Sequence, residues 1–308
     1  MLSVRFWGDR GSIPCPGPDT VKYGGNTSCL EIRADERLII VDLGTGIRPL
    51  GDWLLANDFK KNGRIEADIF ITHTHWDHIM GFPMFAPIFS PENKLWIHGP
   101  VSYEDDSLES IISAQLSYRY WPVRASELAV HIEYFQIKET SFSLGDDIRL
   151  TTKFLNHPIL CLGYRFEYQG KSIVTAFDHE PFRNLFPTDP ADPSYDEEAA
   201  REGDLAAAEE NEKVIRFFRN ADILIHDAQY TEAAYAAHLG WGHSSYEQAI
   251  DNAVRADVKK LVFFHHDPVH TDSQLAAIET NCRAKLNSTP GKPAPEVMMA
   301  MEGMTLEA

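Results

Sequence analysis

Positive charge is what this 308-residue chain lacks most, with 28 Lys and Arg against 46 Asp and Glu and a formal net charge of -18. Gripping a phosphate backbone takes clustered cations, so an extended nucleic-acid surface is not expected, although a small anion can still bind where local positive charge is supplied. Cysteine is scarce as well. Cys15, Cys29, Cys161 and Cys282 show no C-x-x-C spacing, which argues against a disulfide framework or a cysteine-based zinc module and for a reduced, cytoplasmic protein. No apolar run approaches membrane-spanning length, and Met1-Leu2-Ser3-Val4-Arg5-Phe6-Trp7 lacks the basic region and long apolar core of a signal peptide. Fixed-period repeats and low-complexity linkers are missing too. At 44% hydrophobic and 24% charged, residues 1–308 are expected to fold as one globular domain.

What is there first is a succession of strands. Leu2–Trp7, Ser28–Arg33, Arg37–Val41, Ile69–Ile71, Lys94–His98, Val130–Phe135, Ile148–Leu155, Leu162–Tyr168, Lys171–Phe177, Asp222–Ile225 and Lys260–Phe264 read as strands. Helical patterns run over Asp106–Tyr120, after Ser244 and after Asp272, the last placing Cys282 with Leu275, Ile278 and Leu286 on one core face. The aromatic end of the first, Tyr118-Arg119-Tyr120-Trp121, is read as packing on the core, with a pocket roof as its alternative. Residues 181–211, rich in Pro, Asp, Glu and Ala, look like an acidic insertion whose helix opens near Tyr195-Asp196-Glu197-Glu198 and runs towards Phe218. Strands mixed with helices over the whole length give an α/β sandwich of sheets and helices.

The stretch that organises the chain is Ile71-Thr72-His73-Thr74-His75-Trp76-Asp77-His78. Three imidazoles and a carboxylate crowd into the six positions from His73 to His78 behind a buried strand, a costly arrangement unless they are paired or metal-bound. Imidazole with carboxylate suits zinc, manganese or iron; calcium or magnesium would draw oxygen ligands alone. His73 and His75 project the same way in extended backbone, and Asp77 and His78 can turn towards a second ion. Three later strands also end in a candidate ligand: His157, Asp178 and His265. Strand ends gather along one sheet edge, where open α/β folds place their sites. The metal set is therefore His73, His75, Asp77, His78, His157, Asp178 and His265, with Asp178 as the natural bridge between two ions. Each late member has a plainer reading, as a turn or cap residue, and His265 is preferred over His266 because it directly follows the apolar strand. His98, His179, His226 and His270 are read as structural, neighbouring or surface residues, and Cys161 as a weaker ligand candidate. Asp42-Leu43-Gly44-Thr45-Gly46 lacks the Lys of a phosphate loop and reads as a structural loop beside the metal turn.

The H-x-H-x-D-H segment at 73–78, with Asp42, His157, Asp178 and His265 matching the remaining motifs in order, resembles the metallo-β-lactamase superfamily over essentially the whole chain. The resemblance implies an αββα sandwich, two mixed sheets flanked by helices, with a dinuclear site. Gly24-Gly25-Asn26-Thr27-Ser28-Cys29, His157 with Gly163-Tyr164-Arg165, Leu224-Ile225-His226-Asp227-Ala228 and Gly242-His243-Ser244-Ser245 are similar to motifs of its phosphodiesterase branch, which includes ribonuclease Z and small cyclic-phosphate phosphodiesterases. In ribonuclease Z the histidine matching His243 is catalytic. Two departures stand out: Ser245 replaces the usual Thr, and only 21 residues lead from His157 to Asp178, which leaves no room for the long basic arm that grips tRNA.

The expected function is metal-dependent hydrolysis of small or cyclic phosphodiesters by an activated water, with two divalent ions as cofactors, zinc before manganese or iron. Asp77 would orient the nucleophile besides binding metal, and His243 would stabilise the transition state or protonate the leaving group. Ser244 is taken as the N-cap of the helix behind His243, in a Ser244–Glu247 capping box. A thioesterase or lactonase with the same fold, and a metal-free binding or scaffold protein, are the alternatives. The expected partner is a small phosphodiester, with no membrane; a homodimer is compatible with the sequence.

Overall fold

Short strands rich in Val, Ile, Leu and Phe dominate the chain, and in the computed structural model, which describes residues 1–101, 106–145, 147–287 and 294–308, they assemble into two seven-stranded sheets. The first contains β1 (Leu2–Gly8), β2 (Cys29–Ala34), β3 (Arg37–Val41), β4 (Glu66–Phe70), β5 (Lys94–Pro100) and β6 (His131–Ile137) in that order, with β14 (Thr305–Glu307) beside β1. The second runs from β7 (Ser141–Leu144) through β8 (Ile148–Leu155), β9 (Cys161–Tyr168), β10 (Lys171–Ala176), β11 (Ile223–Asp227) and β12 (Lys260–Phe264) to β13 (Glu296–Met299). Each sheet is mixed. β14, β1, β2 and β3 pair antiparallel and β3 to β6 parallel; β7 to β10 pair antiparallel and β10 to β13 parallel.

The parallel strands read as near-continuous apolar runs because both of their faces are covered. Between the sheets Val4, Phe6, Phe70, Phe166, Phe177 and Phe264 form one core. Outside the first sheet, the helix Ile47–Leu54 and the helix Leu108–Ala114 close a second core through Leu50, Leu54, Leu108 and Ile112. Outside the second sheet, helices Glu197–Phe218, Tyr246–Arg255 and Asp272–Asn287 contribute Val214, Phe218, Ala249, Ala253, Leu275 and Cys282 to a third. The expected αββα sandwich is the observed fold.

Several boundaries differ from the sequence reading. β7, β13 and β14 were not foreseen; they are only 4, 4 and 3 residues long, too short for alternation to stand out. β4 ends at Phe70, one residue before Ile71, which leaves the ladder as the metal turn begins. The first predicted helix stops at Ala114 and passes into turns, where Trp121 packs on the core while Tyr118 and Tyr120 stay exposed. Ser245, not Ser244, caps the helix behind His243: its Oγ accepts from the Gln248 amide, and Gln248 Oε1 accepts in return from the Ser245 amide. The capping box is therefore Ser-x-x-Gln, shifted by one residue, because Ser244 Oγ instead donates to the His179 carbonyl at 2.5 Å. In the acidic segment the long helix is capped by Asp196 and starts at Glu197, as its sequence suggests.

Candidate metal centre

Each candidate ligand follows the carboxyl end of a strand. His73 and His75 follow β4, and the single turn Trp76–Ile79 swings Asp77 and His78 back towards them. His157 follows β8, Asp178 follows β10 and His265 follows β12. Asp178 and His265, with Asp42 after β3, hold positive φ angles of 53°, 61° and 62°. Left-handed backbone costs a non-glycine residue roughly 1–3 kcal/mol. Three such residues at one site mean that surrounding packing enforces where these side chains point.

The result is two donor clusters with the Asp178 carboxylate between them. One contains His73, His75, His157 and Asp178, and the other Asp77, His78 and His265, with donor atoms in each within 4.8 Å of one another. Asp178 Oδ2 lies 3.4 Å from His73 Nε2 and 3.8 Å from His157 Nε2; its Oδ1 lies 3.2 Å from His78 Nε2 and 3.3 Å from His265 Nε2. His265 Nε2 is also 3.1 Å from Asp77 Oδ2. His243 joins Asp178 and His265 in a third overlapping group, its ring stacked on His265 at 4.9 Å between centroids. All seven expected ligands and His243 thus converge. His266 turns away and donates Nε2–H to the Ala300 carbonyl, so His265 alone of that pair faces the centre. Cys161 stays outside the clusters, its thiol donating to the Phe177 carbonyl.

The outward faces of these rings are anchored. His78 Nδ1 donates to Asp42 Oδ2 at 2.7 Å, and Asp42 is itself held by the Thr72 amide and hydroxyl at 2.7 and 2.8 Å. His157 Nδ1 donates to the Gly242 carbonyl at 3.0 Å and His265 Nδ1 to Gln229 Oε1 at 3.0 Å. Placing the proton on Nδ1 leaves each Nε2 lone pair facing a carboxylate, which is stable only with a proton or a cation between them. His73 Nε2 is buried with no hydrogen-bond partner, and His75 Nδ1 faces His157 Nε2 at 3.0 Å, nitrogen against nitrogen. This donor set fits divalent metal better than it fits its own hydrogen bonds.

Residues 23–109, which contain the H-x-H-x-D-H turn, match the metallo-beta-lactamase superfamily. Ribonuclease Z of Lactococcus lactis subsp. lactis (strain IL1403) is 29% identical over 223 residues, covering 64% of this chain and 69% of that relative. Ribonuclease BN of Proteus mirabilis (strain HI4320) is 25% identical over 252 residues, 72% of this chain and 77% of the relative. Among solved structures, the metallo-beta-lactamase fold protein YhfI from Bacillus subtilis covers 100% of this chain and 99% of its own, with TM-score 0.64 and 18% identity, a likeness of fold.

Within the centre, charge is divided unevenly. Burial opposes protonation of His78, but Asp178, Asp77 and Asp42 outweigh it and raise its pKa well above the imidazole range. His73 goes the other way, pushed well down by burial and by His78, while burial holds His157 down to about 4 despite Asp178. Burial works against ionised Asp178 too, but His265, His78 and His73 keep its carboxyl well below the usual range. For His243, burial is outweighed by Asp227 at 3.1 Å and by Asp178 and Asp77, which raise it to about 9.

Asp227, Gln229 and Thr72 were assigned no task from the sequence, yet each fixes a ring or carboxylate of the centre. Asp227 ends β11 and also accepts from the amides of His179, Gln229 and Ser244. Its place at the end of an apolar strand is the signal that pointed to His265 and Asp178. Gly242 shows why that position lacks a side chain: at φ +85°, a Cβ would sit 2.3 Å from His157 Nδ1.

Proposed function

We propose that this chain is a metal-dependent hydrolase that holds two divalent transition-metal ions and cleaves small or cyclic phosphodiesters. The observation that carries the reading is a pair of donor clusters between which Asp178 turns one oxygen towards His73 and His157 and the other towards His78 and His265. His73, His75, His157 and Asp178 would hold one ion, and Asp77, His78, His265 and Asp178 the other. Zinc is preferred over manganese or iron because the set is mainly imidazole. When bound, the ions act as Lewis acids on the phosphoryl group and lower the pKa of an attacking water.

The chain's own groups supply the rest. Asp77 takes the Ser12 amide at 2.7 Å on Oδ2, which fixes its carboxylate and leaves it placed to orient the nucleophile. Asp227, which holds His243 through Nδ1, favours the protonated ring, and that ring can deliver its proton to the departing alkoxide. Asp42 and Gln229 keep His78 and His265 in the tautomer that faces the centre.

The ribonuclease names of the relatives bring RNA into view as a substrate. Two features favour a smaller one: the net charge of -18, and the interval from His157 to Asp178, occupied by the plain hairpin β9–β10 with a tight Gln169-Gly170 turn. The same reading treats the chain as one domain carrying an acidic insertion around 181–211. Metal-loaded protein should be assayed on bis-p-nitrophenyl phosphate, cyclic nucleotides, a precursor tRNA, a thioester and a lactone. Turnover of the small diesters above all others is the expected result; preference for the thioester or lactone, or for the tRNA, would displace the proposal.

A further inference from the structure

A cavity of about 460 Å³ adjoins the turn that carries the donors, lined by Thr74, Trp76, Ile79, Ile111, Gln115 and Tyr120, with Asp106 also on its wall. Thr74 and Trp76 alternate in sequence with His73, His75 and Asp77, so this wall and the donor cluster belong to one turn. A substrate whose phosphate sits at the cluster can extend an arm into the cavity.

Its chemistry is selective. Trp76 and Tyr120 are 73% and 79% exposed, two large aromatic side chains left in water although their burial is strongly favourable. Ile79 and Ile111 make the lining mainly apolar. Gln115 Nε2, however, is buried without a hydrogen-bond partner among the described residues, a donor lacking its acceptor. An aliphatic arm would bury that amide unmet, and a second phosphate would meet the Asp106 carboxylate. The cavity on the other flank, about 270 Å³ beside His157, pairs Phe182 and Leu185 with the charged Glu180 and Arg183 and lacks the two exposed aromatic faces.

We propose that the Trp76–Tyr120 cavity is the specificity pocket for a flat heteroaromatic arm of the substrate, its ring against the exposed aromatic faces and its edge accepting from the Gln115 amide. This rests on the phosphodiesterase reading for the location of the phosphate. Trp76 and Tyr120 supply sequence-tolerant stacking, and Gln115 selects a ring whose edge carries an acceptor.

The test is equilibrium binding, which needs no turnover. Metal-loaded protein is titrated by calorimetry with adenosine 5′-monophosphate and with ribose 5-phosphate, which share the phosphate and differ by the base. The nucleotide should bind about tenfold tighter or more. Tyr120→Leu with Gln115→Ala, both remote in sequence from the donors, should erase that difference while metal content, measured in parallel, stays as in the parent. Equal affinity for the two ligands, binding of neither, or an undiminished preference in the double variant would overturn the proposal. The two readings separate cleanly: base-dependent binding without diesterase activity upholds the pocket and removes the function, and diester hydrolysis with equal binding does the reverse.

Discussion

Two carboxylates bracket strand β11, Asp222 just before its first residue and Asp227 as its last, and both are well hydrogen-bonded, but they face very different surroundings. At its start Asp222 is saturated: Oδ1 lies 2.7 Å from Lys259 Nζ and 3.5 Å from Lys171 Nζ, and Oδ2 accepts from the Ser172 amide at 2.9 Å. At its close Asp227 turns towards His243, whose ring joins a group in which five Nε2 or Nδ1 atoms and two carboxylates face one another with few protons to share. One end spends its polar groups on each other, the way a stable fold does. At the other end Asp227 is as well satisfied, but the donor atoms beyond His243, His73 Nε2 among them, wait for something the described residues do not supply. Unmet polar groups, more than acidic ones as such, mark where chemistry is prepared.

The largest effects should come from the shared carboxylate and its partners. Asp178→Ala removes the carboxylate that faces both clusters, so elemental analysis should show both ions lost or weakened and kcat should fall roughly 10³-fold or more. His265→Ala should lose metal and activity together. Retention of two ions by Asp178→Ala would sink the shared-carboxylate arrangement.

His243→Ala comes next. It should keep the metal of the parent and lose about 10²- to 10⁴-fold in kcat on alkyl diesters, the usual scale for a positioned acid or base. The deficit should shrink for p-nitrophenyl esters, whose leaving group needs no proton. Equal losses on both leaving groups would assign His243 to charge stabilisation, and loss of metal would make it a ligand.

A milder variant tests the outward anchors. Asp42→Asn keeps the shape but weakens the acceptor that orients His78, and metal affinity measured by competition with a chelator should drop about 10- to 100-fold. The two clusters should also differ from each other. Asp77, His78 and His265 are all buried, whereas His75 and His157 are only partly so, which leads us to expect chelation in two phases, the ion beside His75 leaving first.

Much of this was legible because buried strands ending in His or Asp recur: the runs before His73, His157, Asp178 and His265 are strongly apolar, and a polar ligand after each is conspicuous. An α/β sandwich followed from strands mixed with helices, and the αββα layering from the resemblance carried by the H-x-H-x-D-H turn. What stayed hidden depends on long-range placement. Gln229 reaches His265 across 36 positions and Asp42 reaches His78 across another 36, and no local pattern announces either. The cap moved from Ser244 to Ser245 because Glu247 and Gln248 offer competing boxes, and only the pull of the His179 carbonyl on Ser244 decides between them.

The smallest expected effect lies at the quiet end of β11. Asp222→Asn retains a group that can accept from the Ser172 amide but loses the charge that Lys259 and Lys171 surround. Burial by itself would raise the Asp222 pKa, but the Lys259 hydrogen bond, the Ser172 amide and the Lys171 charge bring it below the ordinary value. A carboxylate with a depressed folded pKa stabilises the fold above its unfolded pKa of about 3.9, and that contribution fades as pH falls through the lower folded value. Near neutral pH the variant should be less stable by about 1 kcal/mol, the scale of one charge-assisted hydrogen bond partly screened by water. The difference between parent and variant in urea midpoints should then narrow as the pH drops below about 4. Metal content and kcat should be untouched throughout, since Asp222 lies a full strand away from the donors. A gap that widened on acidification, or a variant that lost metal, would erase the distinction between the two ends of the strand.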